Sequence, residues 1–117
     1  MYNPEKGEVK NVLPEDLILD AVVTRIQDGV VKDFVMNLEK WKDPEQPCIQ
    51  LSMETQHEGT DFKFEELFTY RNEGDKVVYS RRSKLGKFAE KYSGLPKVGV
   101  KVKALTNSEG YLRLKID

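Results

Sequence analysis

Sulfur and imidazole are almost missing from this chain. Its 117 residues include one cysteine, Cys48, and one histidine, His57. A lone cysteine closes no intramolecular disulfide, which points to a reducing, cytoplasmic setting. A nucleophile–base pair needs its two groups within hydrogen-bond reach and a third group to orient the base. Cys48 falls at the start of a predicted strand and His57 at a predicted hairpin tip, and nothing supplies the third group. We therefore expect no enzyme and no catalytic residue. There is no C-x-x-C, no paired histidine and no calcium loop, so no metal is expected. "KLGKF" at 84–88 has one glycine and no phosphate-loop pattern, and no cofactor is expected. The acidic pairs Glu15-Asp16 and Glu65-Glu66 put strand neighbours on opposite faces, so they read as solvated charges rather than one ion site. No apolar run approaches the roughly 20 residues that span a bilayer. The opening "MYNPEKGEVK" lacks the apolar stretch of a secretory leader. No membrane partner is expected.

Charge is what the chain has in abundance. Charged residues make up 33% of it and hydrophobic residues 38%, in a length suited to one domain with one core. The formal net charge of −1 hides an uneven distribution. Residues 1–69 carry seven Lys/Arg and fifteen Asp/Glu, and residues 70–117 carry twelve and five. Either the halves interleave in space and cancel, or the basic half meets an anionic partner.

The apolar residues are patterned mainly as strands. Residues 1–11, with Pro4 and Gly7, read as a flexible N-terminal arm ahead of a single domain at 12–117. Leu17 to Ile26 reads as a long strand, and Asp28-Gly29 as a turn signal. Val31, Phe34, Val35, Leu38 and Trp41 recur at helical spacing, so residues 30–42 read as a short helix or helical loop, stopped by "DPEQP" at 43–47. Residues 48–56 and 61–71 alternate in polarity around "HEGT" and read as a hairpin. "NEGD" at 72–75 reads as a turn before a short strand, "KVVYS", at 76–80. Ser83 is a good N-cap for a helix whose stripe is Leu85, Phe88, Ala89 and Tyr92, with Gly94 at its end and Pro96 beyond. A last hairpin alternates Val98, Val100, Val102 and Ala104, turns through "TNSEG" at 106–110, and returns with Leu112, Leu114 and Ile116 inward. Its outward residues include Lys101, Lys103, Tyr111, Arg113 and Lys115.

This order, with the helix 83–92 ahead of "VKVKALTNSEGYLRLKI", resembles an OB-fold over residues 12–117. The resemblance is one of topology and charge pattern. It implies a mainly β protein: a small barrel of five or six strands with one helix between strands three and four. Segment 28–46 becomes an enlarged loop between the first two strands. Many OB-folds bind single-stranded nucleic acid through the second and third strands and the adjoining loops, here 28–46, 48–71 and 104–111. The function so implied is low-specificity binding of a single strand, DNA ahead of RNA, in DNA replication. The alternative is a protein-interaction subunit or regulator of a nucleic-acid-processing complex, with replication or repair proteins as partners.

A single-strand binder needs cations along the phosphates and aromatic faces for the bases. The candidate cations are Arg71, Arg81, Arg82, Lys84, Lys101, Lys103 and Arg113, and the candidate aromatics are Trp41, Phe64, Tyr70, Tyr79 and Tyr111. Trp41, between Lys40 and Lys42, is either a stacking platform or the anchor of the 31–41 stripe. Phe64 is either a base contact or a core residue. Lys101 and Lys103 serve equally to block edge-to-edge aggregation. Arg81 and Arg82 are harder to explain by packing. Cations at a helix entrance oppose the macrodipole, whereas an anion there gains from both arginines and from free backbone N–H groups.

Overall fold

The computed structural model describes residues 13–116; the arm expected at 1–11 lies outside them. Seven strands and two helices follow in the order β1 (Ile18–Val30), α1 (Val31–Phe34), β2 (Pro47–His57), β3 (Thr60–Thr69), β4 (Arg71–Glu73), β5 (Lys76–Val78), α2 (Lys84–Lys91), β6 (Lys101–Thr106) and β7 (Leu112–Leu114). Five strands form one antiparallel sheet in the order β3-β2-β1-β6-β7, and β4 and β5 form a separate pair. The sheet curls until β7 approaches β3 without a backbone ladder between them, giving a nearly closed barrel.

The helix position departs from expectation. α2 lies between the fifth and sixth strands, not the third and fourth. The cause is the turn at 72–75, which closes a small hairpin of its own, pairing Arg71 with Val78 and Glu73 with Lys76. This hairpin comes between β3 and α2.

β1 also runs further than its apolar pattern. Asp28 and Gly29 do not turn the chain; they pair with Ile49 and Cys48. The strand continues because a bulge resets its faces. Val23 pairs with Met53 and Arg25 with Ser52, leaving Thr24 as the extra residue. Before the bulge Ala21 and Val23 are buried; after it Ile26, paired with Leu51, packs on the core. The same shift puts Asp28 on the face of Ile26.

The helix expected over 30–42 is a single turn, Val31–Phe34. Its backbone donors close a loop instead of extending a helix: Val31 N–H donates to the Gln46 carbonyl (3.1 Å) and Lys32 N–H to the Pro44 carbonyl (2.9 Å). Lys32 also pairs with Glu45. Val31 is fully buried, so the loop is anchored at its start.

The β2–β3 hairpin turns through Glu58 and Gly59, both with positive φ (52° and 80°). Two successive left-handed residues match the twist of antiparallel strands, and glycine takes that shape freely. The last hairpin is shorter than expected. Gly99 N–H donates to the Val23 carbonyl (2.8 Å), and Val100 N–H to Lys97 (3.2 Å), so residues 97–100 turn before β6 and Val98 is exposed. Thr106 is a buried strand residue rather than part of the turn. Its hydroxyl accepts from Leu17 N–H (2.8 Å) and donates to the Pro14 carbonyl (2.6 Å).

α2 plugs the barrel. The Ser83 hydroxyl caps it, accepting from Gly86 N–H (3.0 Å). Leu85 and Phe88 enter the core, and Phe88 meets Phe68 edge-to-face, with centroids 5.6 Å apart. The Tyr92 hydroxyl bonds the Lys115 carbonyl and accepts from Lys103 N–H (3.2 Å), which ties the helix end to the β6 and β7 side. No helix among the described residues is long and apolar enough to cross a membrane.

Candidate nucleic-acid interface

The twelve nominated residues separate into distinct neighbourhoods. Tyr70, Arg71 and Tyr79 come together. They line one cleft of about 190 Å³ with Gln46, Ser80 and Ser83. The β4–β5 hairpin makes this possible: Arg71 opens β4, Tyr79 follows β5, and their strands pair. Arg81 and Arg82 lie next in sequence, both exposed, at the entrance to α2. Arg81 reaches Glu90 at 3.2 Å, with 91% of its side chain exposed. Such an exposed pair contributes about 0–1 kcal/mol, so a phosphate can compete for it. Among the described residues Arg71 and Arg82 carry no salt bridge.

Several of the backbone donors expected to be free at this entrance are engaged. Arg82 N–H donates to the Ser80 hydroxyl (3.1 Å), Ser83 N–H to the Ser80 carbonyl (3.0 Å) and Gly86 N–H to the Ser83 hydroxyl. The arginine side chains, not the helix end, are what an anion would meet.

Lys84 and Arg113 have a different neighbour. Glu66 was expected to be solvated, yet its side chain is only 3% exposed. It shares β3 parity with Phe64 and Phe68, both buried, and so faces inward. Arg113 donates to it through Nε (2.7 Å) and Nη2 (3.3 Å), and Lys84 through Nζ (2.8 Å). Lys84 also donates to the Leu67 carbonyl (2.9 Å). Burial pushes the Glu66 carboxyl pKa up, but the hydrogen bonds and charges of Arg113 and Lys84 outweigh it and leave the group below the ordinary carboxylate range. The Arg113 pKa rises, first through its hydrogen bond to Glu66. Both cations are thus held on Glu66, whose single charge offsets one of the two.

Lys101 and Lys103 line another groove, of about 610 Å³, with Asp20, Val22, Glu54 and Tyr92. Lys103 pairs with Asp20 and, chiefly through that hydrogen bond, lowers the Asp20 pKa. Phe64 is buried and touches a third groove, of about 490 Å³, between Arg25, Lys63, Glu54 and Glu65. Neither Trp41 nor Tyr111 lines the Tyr70 cleft. Trp41 is half-buried in the loop after α1, and Tyr111 is exposed just before β7.

Cys48 is the second residue of β2 and His57 its last, nine residues apart, so at about 3.3 Å per residue they stand roughly 30 Å from one another. Burial raises the Cys48 thiol pKa, and the side chain is fully enclosed.

One chamber was missed. Ile26, Asp28, Ile49, Tyr70, Val77 and Leu95 are among the residues around a second cavity of about 190 Å³, which shares Tyr70 with the first. Its signal would have been the Thr24 bulge, which is a property of strand pairing and carries no mark in β1 alone. Compared with protein families, curated proteins and solved structures, the chain matches none.

Proposed function

We propose that this chain binds single-stranded nucleic acid, DNA ahead of RNA, with affinity that is largely independent of sequence. The observation that carries this reading is the gathering of Tyr70, Arg71 and Tyr79 around one cleft beside the exposed Arg81 and Arg82. Aromatic faces interleaved with cations suit a strand whose bases stack and whose phosphates seek charge. The contacts are assigned to these five residues. Lys84 and Arg113 serve Glu66 instead.

The test is fluorescence anisotropy with a labelled oligothymidylate at low and moderate salt, repeated with an RNA strand of equal length. Each phosphate contact to a single strand contributes about −0.7 to the slope of log K against log salt. Arg71, Arg81 and Arg82 together give a slope of about −2. The combined Arg71→Glu, Arg81→Glu and Arg82→Glu variant should remove binding. No binding of any strand at low salt, or full binding by the triple variant, overturns the reading.

A further inference from the structure

The chamber beside the cleft has a chemistry of its own. Its walls are mostly apolar: Ile26 and Ile49 from the barrel, Leu85 from α2, Leu95 beyond it, and Val77 from the small hairpin. Val77 and Leu95 stay 45% and 41% exposed, so apolar surface is held open at its mouth. At about 190 Å³ it falls short of the ~300–1,000 Å³ of ordinary small-molecule sites and suits a single ring system. One charged group lines it, Asp28, turned to this face by the Thr24 bulge. Among the described residues Asp28 has no salt bridge and no side-chain hydrogen bond. Burial first, and the nearby Asp28 charge second, raise the Tyr70 phenol pKa, which places the carboxylate within electrostatic reach of the shared ring.

We infer that this chamber takes one unstacked base of the bound strand and that Asp28 reads its edge, favouring guanine. The inference rests on the strand-binding reading above. Tyr70 lines both cavities, so a strand whose phosphates follow Arg71, Arg81 and Arg82 can send one base past Tyr70 into the apolar chamber. An ionised aspartate only accepts hydrogen bonds. Guanine offers two adjacent donors, N1–H and N2–H, matching the two carboxylate oxygens. Cytosine and adenine offer one amino donor beside an acceptor. Thymine offers one N–H between two carbonyls, which would face the carboxylate with like charge.

The experiment compares three oligothymidylates of equal length, differing at one central position that carries dG, deoxyinosine or dT. Inosine keeps N1–H and lacks the N2 amine. A bidentate base contact discriminates by about tenfold. The dG strand should bind about tenfold tighter than the dT strand, the inosine strand in between, and Asp28→Asn should erase the ranking. Equal affinity of the wild-type protein for all three strands overturns the base chamber and leaves strand binding intact. Persistence of the ranking in Asp28→Asn also overturns it. Failure to bind any of the three at low salt removes the strand-binding reading and this inference with it.

Discussion

Gly86 shows how one residue decides the approach of two segments. A Cβ built there would stand 2.1 Å from the Ser80 carbonyl oxygen and 2.8 Å from Arg81 Cα. Both are backbone atoms and cannot rotate aside. Residues 80–81 therefore cross the first turn of α2 because position 86 has no side chain. Gly86→Ala sets a gain in helix propensity, of about 1 kcal/mol, against a steric overlap that must move the segment carrying Tyr79, Arg81 and Arg82. We expect a net loss of about 1–3 kcal/mol in urea unfolding. Ser83→Ala, which removes the cap and the hydroxyl's bond to the Ser80 carbonyl (2.6 Å), should cost about 1–2 kcal/mol. The cap was legible in the sequence, since Ser83 stands before a clean stripe at Leu85, Phe88 and Tyr92. The need for glycine at 86 was not, because it depends on where the preceding chain passes.

Among the elements, β1 carries the most information that periodicity does not express. Its alternation is regular on each side of Thr24 and shifts by one at it. A reading of Leu17 to Ile26 as one uninterrupted strand finds the element and loses the parity of its second half. That parity is what brings Asp28 to the chamber. Deleting Thr24 would restore two-residue alternation through to Val30. Arg25 and Gln27 would stay outward and Ile26 and Asp28 inward, because Val23 opposite Met53 and Arg25 opposite Ser52 would then be consecutive pairs of one unbroken ladder. We expect the deletion variant to keep a cooperative thermal transition by circular dichroism, within about 1–3 kcal/mol of the parent, and loss of the transition would mean that the bend of the bulge is itself required. Thr24→Val keeps the residue count and loses only the bond from its hydroxyl to the Ser52 carbonyl, so it should melt within about 1 kcal/mol of the parent. The β2–β3 hairpin and α2 were legible because their signals are local. The β4–β5 pair was half legible: "NEGD" marked the turn, but the exposed Arg71–Glu73 lacks an apolar face to announce a strand.

At the scale of the whole molecule, the barrel closes by charge where its ladder stops. β3 and β7 share no backbone pairing, and Glu66 spans the gap to Arg113 on β7 and Lys84 on α2. The partners are unequal. Arg113 and Lys84 keep 60% and 36% of their side chains exposed, against 3% for Glu66, so the cations can rehydrate if the carboxylate is removed. The carboxylate cannot if the cations are removed. Glu66→Gln should therefore cost about 1–3 kcal/mol, and the Lys84→Met, Arg113→Met double variant about 3–5 kcal/mol at neutral pH. Acid distinguishes the two states of Glu66 by sign. In the parent its folded pKa lies below the unfolded value of about 4.3, so its contribution is complete above that pH and is lost as pH falls through the folded pKa. In the double variant burial acts unopposed and raises the folded pKa above the unfolded one. Its native state then binds the proton more tightly, and acidification toward pH 4 recovers stability. Urea unfolding from pH 7 to 3, each protein referred to its own Glu66→Gln form to cancel the other carboxylates, should give slopes of opposite sign. Parallel slopes would mean that Glu66 closes the barrel by shape alone.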